Sequence, residues 1–146
     1  MGLFDVFKGD KAFELTPYAS FVTSMLYIMA ADGEINENEI GQLIASVGGN
    51  QYKNVNINEL LKGASKYIKS NSVDTFLSEV APKLNESQEL CILVNIVDTL
   101  FADGNAAKEE QEVFAKFLAA FGVSEGSFKP HFETITVKNQ KSVFFN

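Results

Sequence analysis

The sequence predicts an all-α fold: about seven helices, arranged as two pseudo-repeated helical hairpin halves around two central apolar helices. Three observations predict it. Apolar residues recur at helical spacing along most of the chain. Several apolar runs are preceded by a Thr or Asn cap, with Glu or Gln three residues beyond the Asn caps. The tripeptide Ala-Asp-Gly stands at 31–33 and returns at 102–104, each time between an apolar run and an acidic-headed amphipathic one.

Each element has its own signal. In "TPYASFVTSMLYIMAAD" Thr16 is the N-cap and Pro17 opens the helix. Its apolar residues cover most of the circumference, as expected of a central helix. "NENEIGQLIASVGG" carries a capping box in Asn36 and Glu39, an apolar face of Ile40, Leu43, Ile44 and Val47, and a Gly48-Gly49 stop. "NINELLKGASKYIKS" repeats the device with Asn56 and Glu59. "SVDTFLSEVAPKL" is a short helix ending near Pro82. "NESQELCILVNIVDTLFAD" begins with Asn85 and Gln88 in the capping positions and is then almost wholly apolar, so it predicts a second central helix. "AKEEQEVFAKFLAAFG" turns Val113, Phe114, Phe117, Leu118 and Phe121 inward and closes on Gly122. The last stretch favours strand at Thr134 to Val137 by propensity, but a lone strand would have no partner, so a helix with an extended tail is expected. These elements give an N-terminal segment (1–14), one helical domain (15–140) and a C-terminal tail (141–146).

The 146-residue chain is the size of one domain and long enough to bury a core. Its single cysteine, Cys91, excludes an internal disulfide framework and a thiolate-cluster zinc site, and its apolar surroundings predict a buried, inert thiol. Net charge is −7, with all twelve basic residues lysine. That balance opposes nucleic-acid binding, which draws on arginine and on attraction to phosphate. "MGLFDVFKGDKAF" lacks the basic start and continuous apolar stretch expected of a signal peptide, and Val6 breaks the myristoylation pattern. No apolar run reaches the ~20 residues of a membrane span, so a cytoplasmic protein is expected. No phosphate loop, nucleophile elbow or dinucleotide fingerprint is present, and the lone His131 has no ligand-spaced neighbour, so no enzyme activity is expected.

Shifting the sequence by 71 residues superposes the two Ala-Asp-Gly units and brings Glu39 onto Glu110, Leu43 onto Phe114 and Val47 onto Leu118. Two readings of the acidic clusters stay open. In one, Glu34, Glu37 and Glu39, with Glu109, Glu110 and Glu112, serve helix starts, where negative charge complements the dipole. In the other, Asp32, Glu39, Asp103 and Glu110, with Asp98 as an extra ligand, form weak half-sites for a divalent cation. A working EF-hand is excluded, because its two leading loop positions fall on Ile28 and Ala30 in the first copy and on Thr99 and Phe101 in the second. A stripe of Lys53, Lys62, Lys66 and Lys69 gives a basic face suited to docking an acidic partner or an anionic membrane inner leaflet.

"MAADGEINENEIGQLIASVG" and "TLFADGNAAKEEQEVFAKFLAAFGVSE" together resemble the TerB family of tellurite-resistance proteins. Asp32, Gly33, Ile35 and Glu39 match its pattern in the first copy, and Asp103, Gly104 and Glu110 in the second, over roughly residues 15 to 140. Ala106 and Ala107 depart from it. The resemblance implies an all-helical fold with two similar halves. It further implies a non-enzymatic bacterial stress-response role, acidic cation ligands, and protein partners at the inner face of the membrane. The competing expectation is a metal-free interaction domain whose carboxylates only cap helices.

Overall fold

A computed structural model of the chain describes residues 13–31, 33, 35, 40, 41, 43, 45, 56–100 and 106–145. Its helices are α1 (Pro17–Met29), α2 (Ile57–Ser70), α3 (Val73–Val80), α4 (Glu86–Leu100), α5 (Lys108–Ala120) and α6 (Glu125–Asn139). Short 3₁₀ turns follow α3 at Ala81–Lys83 and α6 at Lys141–Phe145. Residues 40, 41, 43 and 45 are also helical, so each of the seven predicted segments is helix, and no strand occurs among the described residues. The Asn36–Glu39 capping box and the Gly48-Gly49 stop lie outside the described residues.

Local hydrogen bonds fix where the helices begin and end. The Thr16 hydroxyl accepts from the Ala19 N–H (3.1 Å) and the Asn56 side chain from the Glu59 N–H (3.2 Å). Asn85 and Gln88 form the full reciprocal box, each side-chain oxygen accepting the other's backbone N–H at 2.8–2.9 Å. Ser72 and Ser124 cap α3 and α6 in the same way, both at 3.1 Å. α5 stops at Gly122, whose φ of +66° lets its N–H reach the Ala119 carbonyl (3.2 Å) while the Val123 N–H reaches that of Leu118 (2.9 Å). That pair of bonds satisfies two carbonyls that would otherwise be orphaned.

α1 is the hub, packing against α2, α3, α4 and α5. Ten of its thirteen residues are buried. Three of them are polar: Ser20 and Ser24 donate to carbonyls four residues back (2.8 and 2.7 Å), whereas the Thr23 hydroxyl has no partner. Under the core Phe76 and Phe117 are both fully buried, with ring centroids 6.4 Å apart. At one edge the Phe13 ring lies over Gly63 of α2, and a Cβ there would sit 2.6 Å from Phe13 Cδ1.

α4 differs from expectation. It buries Ile92, Leu93, Ile96, Val97 and Leu100 but leaves Leu90 and Cys91 exposed. The cysteine is therefore a surface thiol, not a buried one, its Sγ 3.5 Å from the Asn95 Nδ2. A continuous apolar run obscures which side faces the core, and here the N-terminal part of α4, at Leu90 and Cys91, faces solvent. The tail is also not extended: it forms the 3₁₀ turn Lys141–Phe145, in which Val143, Phe144 and Phe145 are 57%, 83% and 87% exposed.

The 71-residue register carries through to burial. Val22, Met25, Leu26, Met29 and Leu43 occupy the positions of Leu93, Ile96, Val97, Leu100 and Phe114, and all ten are buried in one core. The same shift pairs Tyr27 with Asp98. Tyr27 donates its hydroxyl to the carbonyls of Asn71 (2.7 Å) and Ser72 (3.3 Å), just past the end of α2. Asp98 accepts from Lys138 and Asn139 at the end of α6. Each central helix thus fastens the C-terminal end of a later helix in its own half, α2 or α6, so the repeated unit extends beyond a hairpin.

Candidate functional site

Of the carboxylates singled out in the sequence, Asp32, Glu34, Glu37, Glu39 and Asp103 lie outside the described residues, as does Lys53. Glu109, Glu110 and Glu112 stand at the start of α5, where the exposed Glu109 and half-buried Glu110 fall in the first turn. Glu110 Oε1 accepts the Ala107 backbone N–H at 2.9 Å. Ala107 has no side-chain oxygen to return the bond, so this is half of a capping box, supplied by the acid alone.

Asp98 is held from one side. Its carboxylate accepts from Lys138 Nζ at 3.0 and 3.1 Å and from Asn139 Nδ2 at 3.0 Å. Partial burial raises its pKa, but the hydrogen bonds from Asn139 and Lys138 and the charges of Lys138 and Lys141 outweigh that and hold it below the usual carboxylate range. The described residues contain no group of three His, Cys, Asp or Glu side chains placed to hold a metal ion. Asp98 and Glu110 are not brought into one such site.

The basic face is present on α2. Lys62, Lys66 and Lys69 are all exposed, and their spacing lays them along one narrow stripe. Lys83, Lys116, Lys129 and Lys138 form ion pairs with Glu79, Asp74, Glu133 and Asp98. The three α2 lysines enter no ion pair among the described residues. The opposite side of the same helix is apolar, with Ala64 fully buried and Leu60, Leu61, Tyr67 and Ile68 packed on the core.

A further concavity went unforeseen. α4, α5 and α6 enclose a groove of about 530 Å³ lined by Val97, Leu100, Phe114, Leu118, Phe128 and Phe132. The sequence held part of the signal: Pro130 has no N–H to offer the Gly126 carbonyl, and both residues lie in the α6 stretch that borders the groove. His131 sits beside it, exposed, with its ring 5.7 Å from that of Phe128.

A family model described as tellurite resistance protein TerB matches residues 19–130. The chain belongs to the TerB family. No curated protein and no solved structure matches it. The TerB match spans both Ala-Asp-Gly units and runs from α1 into the first half of α6. It stops short of Val137 and of the aromatic tail. No described helix is long and apolar enough to cross a membrane.

Proposed function

We propose that this TerB-family chain is a non-enzymatic stress-response module of the tellurite-resistance type, acting through a protein partner. The observation that carries this reading is the open lysine stripe of α2: Lys62, Lys66 and Lys69 project from a helix whose other face is locked into the core. Such a rigid basic surface suits an acidic partner and steers its approach. The proposed place of action is the cytoplasm, at the inner face of the membrane when the partner is membrane-associated.

The doubled Asp-Gly-to-Glu unit favours a second reading, in which Asp32, Glu39, Asp103, Glu110 and Asp98 hold a divalent cation weakly. Two contacts support the metal-free version instead. Glu110 is already engaged by a helix N–H, and Asp98 is already neutralised by Lys138.

The test is survival on tellurite of bacterial cells that depend on this chain. Lys62→Glu with Lys66→Glu and Lys69→Glu is expected to abolish protection while circular dichroism stays unchanged. Full protection by that folded variant overturns the docking reading. Calorimetry with calcium, magnesium, manganese and zinc separates the cation version: heat lost in Asp32→Asn with Glu39→Gln supports it, and no heat in the wild type removes it.

A further inference from the structure

The charged face of α2 has an order along its axis. From the first turn to the last, Glu59, Lys62, Lys66 and Lys69 follow one another at steps of three, four and three residues. At ~100° and ~1.5 Å per residue, all four fall within an arc of about 80°, and the three lysines span about 10 Å of the axis. All four are exposed, and Glu59, like the lysines, enters no ion pair among the described residues. The face is therefore polar in direction: one carboxylate at its N-terminal end, three ammonium groups toward its C-terminal end. Packing of the opposite side of α2 on the core fixes that direction in the molecule.

This order selects among acidic partners. A broad anionic surface, such as a bilayer or a nucleic-acid duplex, lays its phosphates over Glu59 together with the lysines and meets like charge there. A second helix is a narrow line of charge with the same rise per residue. Carboxylates at matching steps on it face each lysine in turn, and a cation one further step along faces Glu59. The direction of that helix follows from its own dipole, which favours acids near the N-terminus and bases near the C-terminus. α2 obeys the same rule, with Glu59 in its first turn and Lys69 in its last. A partner helix satisfies both the rule and the charge order of α2 only when it runs antiparallel, its leading acid against Lys69 and its trailing base against Glu59.

We propose that the occupant of this face is an α-helix of a partner protein, antiparallel to α2, that carries Asp or Glu at i, i+3 and i+7 and Lys or Arg at i+10. The inference rests on the lysine-stripe reading of the function and adds the partner's secondary structure, charge order and direction.

The test is an NMR titration of the isotope-labelled full chain at low ionic strength, where exposed charges are least screened, with four probes. The first is a hydrocarbon-stapled, alanine-rich helix with Glu at its first, fourth and eighth positions and Lys at its eleventh. The second is the same stapled peptide with its sequence reversed. The third has the composition of the first but is unstapled and interrupted by proline. The fourth is phosphatidylserine vesicles. The first probe is expected to shift the Lys62, Lys66 and Lys69 amides saturably, and the second and third to bind at least ~3-fold more weakly. Glu59→Lys is expected to weaken the first probe ~2–5-fold and to recover that loss against a stapled helix whose eleventh position is Glu. Equal binding of the first three probes, or no change of preference in Glu59→Lys, overturns this inference alone and leaves the stripe an undirected site for acidic partners. Absence of any shift with the first probe overturns it as well. Vesicle binding that needs the three lysines, without peptide binding, assigns the face to lipid and overturns it. Full tellurite protection by the folded triple glutamate variant removes the docking reading and this inference together.

Discussion

Lys138 Nζ lies 3.0 Å from Asp98 Oδ1, joining residues on α6 and α4 that are forty positions apart in the chain. With Asn139 donating to the same carboxylate, this contact ties the last turn of α6 to the body of the bundle. Asp98→Ala should lower stability by about 1 kcal/mol, because the pair is partly exposed and its net worth is correspondingly small. Amide exchange should speed up over the last turn of α6 and not in α2. The pH sign follows from the lowered pKa. The Asp98 contribution is present above the unfolded carboxylate value, ~3.9, and is lost as pH falls through the lower folded value. A chemical-denaturation series from neutral to strongly acidic pH should show that loss in the wild type and lack it in the variant.

At the alkaline end two phenols act with the opposite sign. Burial pushes the Tyr67 hydroxyl up to about 12, aided by its hydrogen bond to Glu79 (3.0 Å) and by that carboxylate's charge. Burial also pushes the Tyr27 hydroxyl up, with Tyr67 adding to it. Their contribution is intact below the unfolded tyrosine value, ~10, and drains away as pH climbs from there toward the folded values. Denaturation midpoints should fall above that pH. Tyr67→Phe should flatten part of the fall, and at neutral pH Tyr27→Phe should cost about 1–2 kcal/mol through its lost bond to Asn71.

Glu110 separates capping from charge. Glu110→Gln keeps an oxygen to accept the Ala107 N–H and should change the melting temperature little. Glu110→Ala removes the acceptor and should cost about 1 kcal/mol. If the glutamine variant proves as damaging as alanine, charge at the start of α5 outweighs the hydrogen bond.

Thr23 is fully buried with an unpartnered hydroxyl. Thr23→Val replaces that hydroxyl with a methyl of similar size and should stabilise the protein by about 1 kcal/mol. A urea midpoint that drops instead would reveal an acceptor for the hydroxyl.

At Gly63 the usual gain from Gly to Ala inside a helix, about 0.5–1 kcal/mol, should reverse. The new methyl would meet the body of the Phe13 ring rather than a flexible tip. Gly63→Ala should therefore lower the melting temperature, and adding Phe13→Leu should recover part of it.

The helices were legible because their signals are local. Thr16, Asn56, Asn85 with Gln88, and Gly122 announce caps within a few residues of the bonds they make. The face of α4 was not legible: a run apolar on all sides gives no phase, so a buried Cys91 was expected where the bundle leaves it outside. The partners of Asp98 and Tyr27 were hidden for another reason. Lys138 and Asn71 are about forty residues away, and only the packing of α6 on α4 and of α2 on α1 brings them near. The groove escaped notice because each of its phenylalanines reads from sequence as ordinary core.

Tyr27 and Asp98 stand at the same step of a duplicated framework yet hold their halves with opposite proton chemistry. A rise in pH strips the proton that binds the first half, and a fall supplies the proton that releases the second. Acid should therefore weaken the α4–α6 fastening and alkali the α1–α2 one, so the solvent decides which strap on the shared core slackens first.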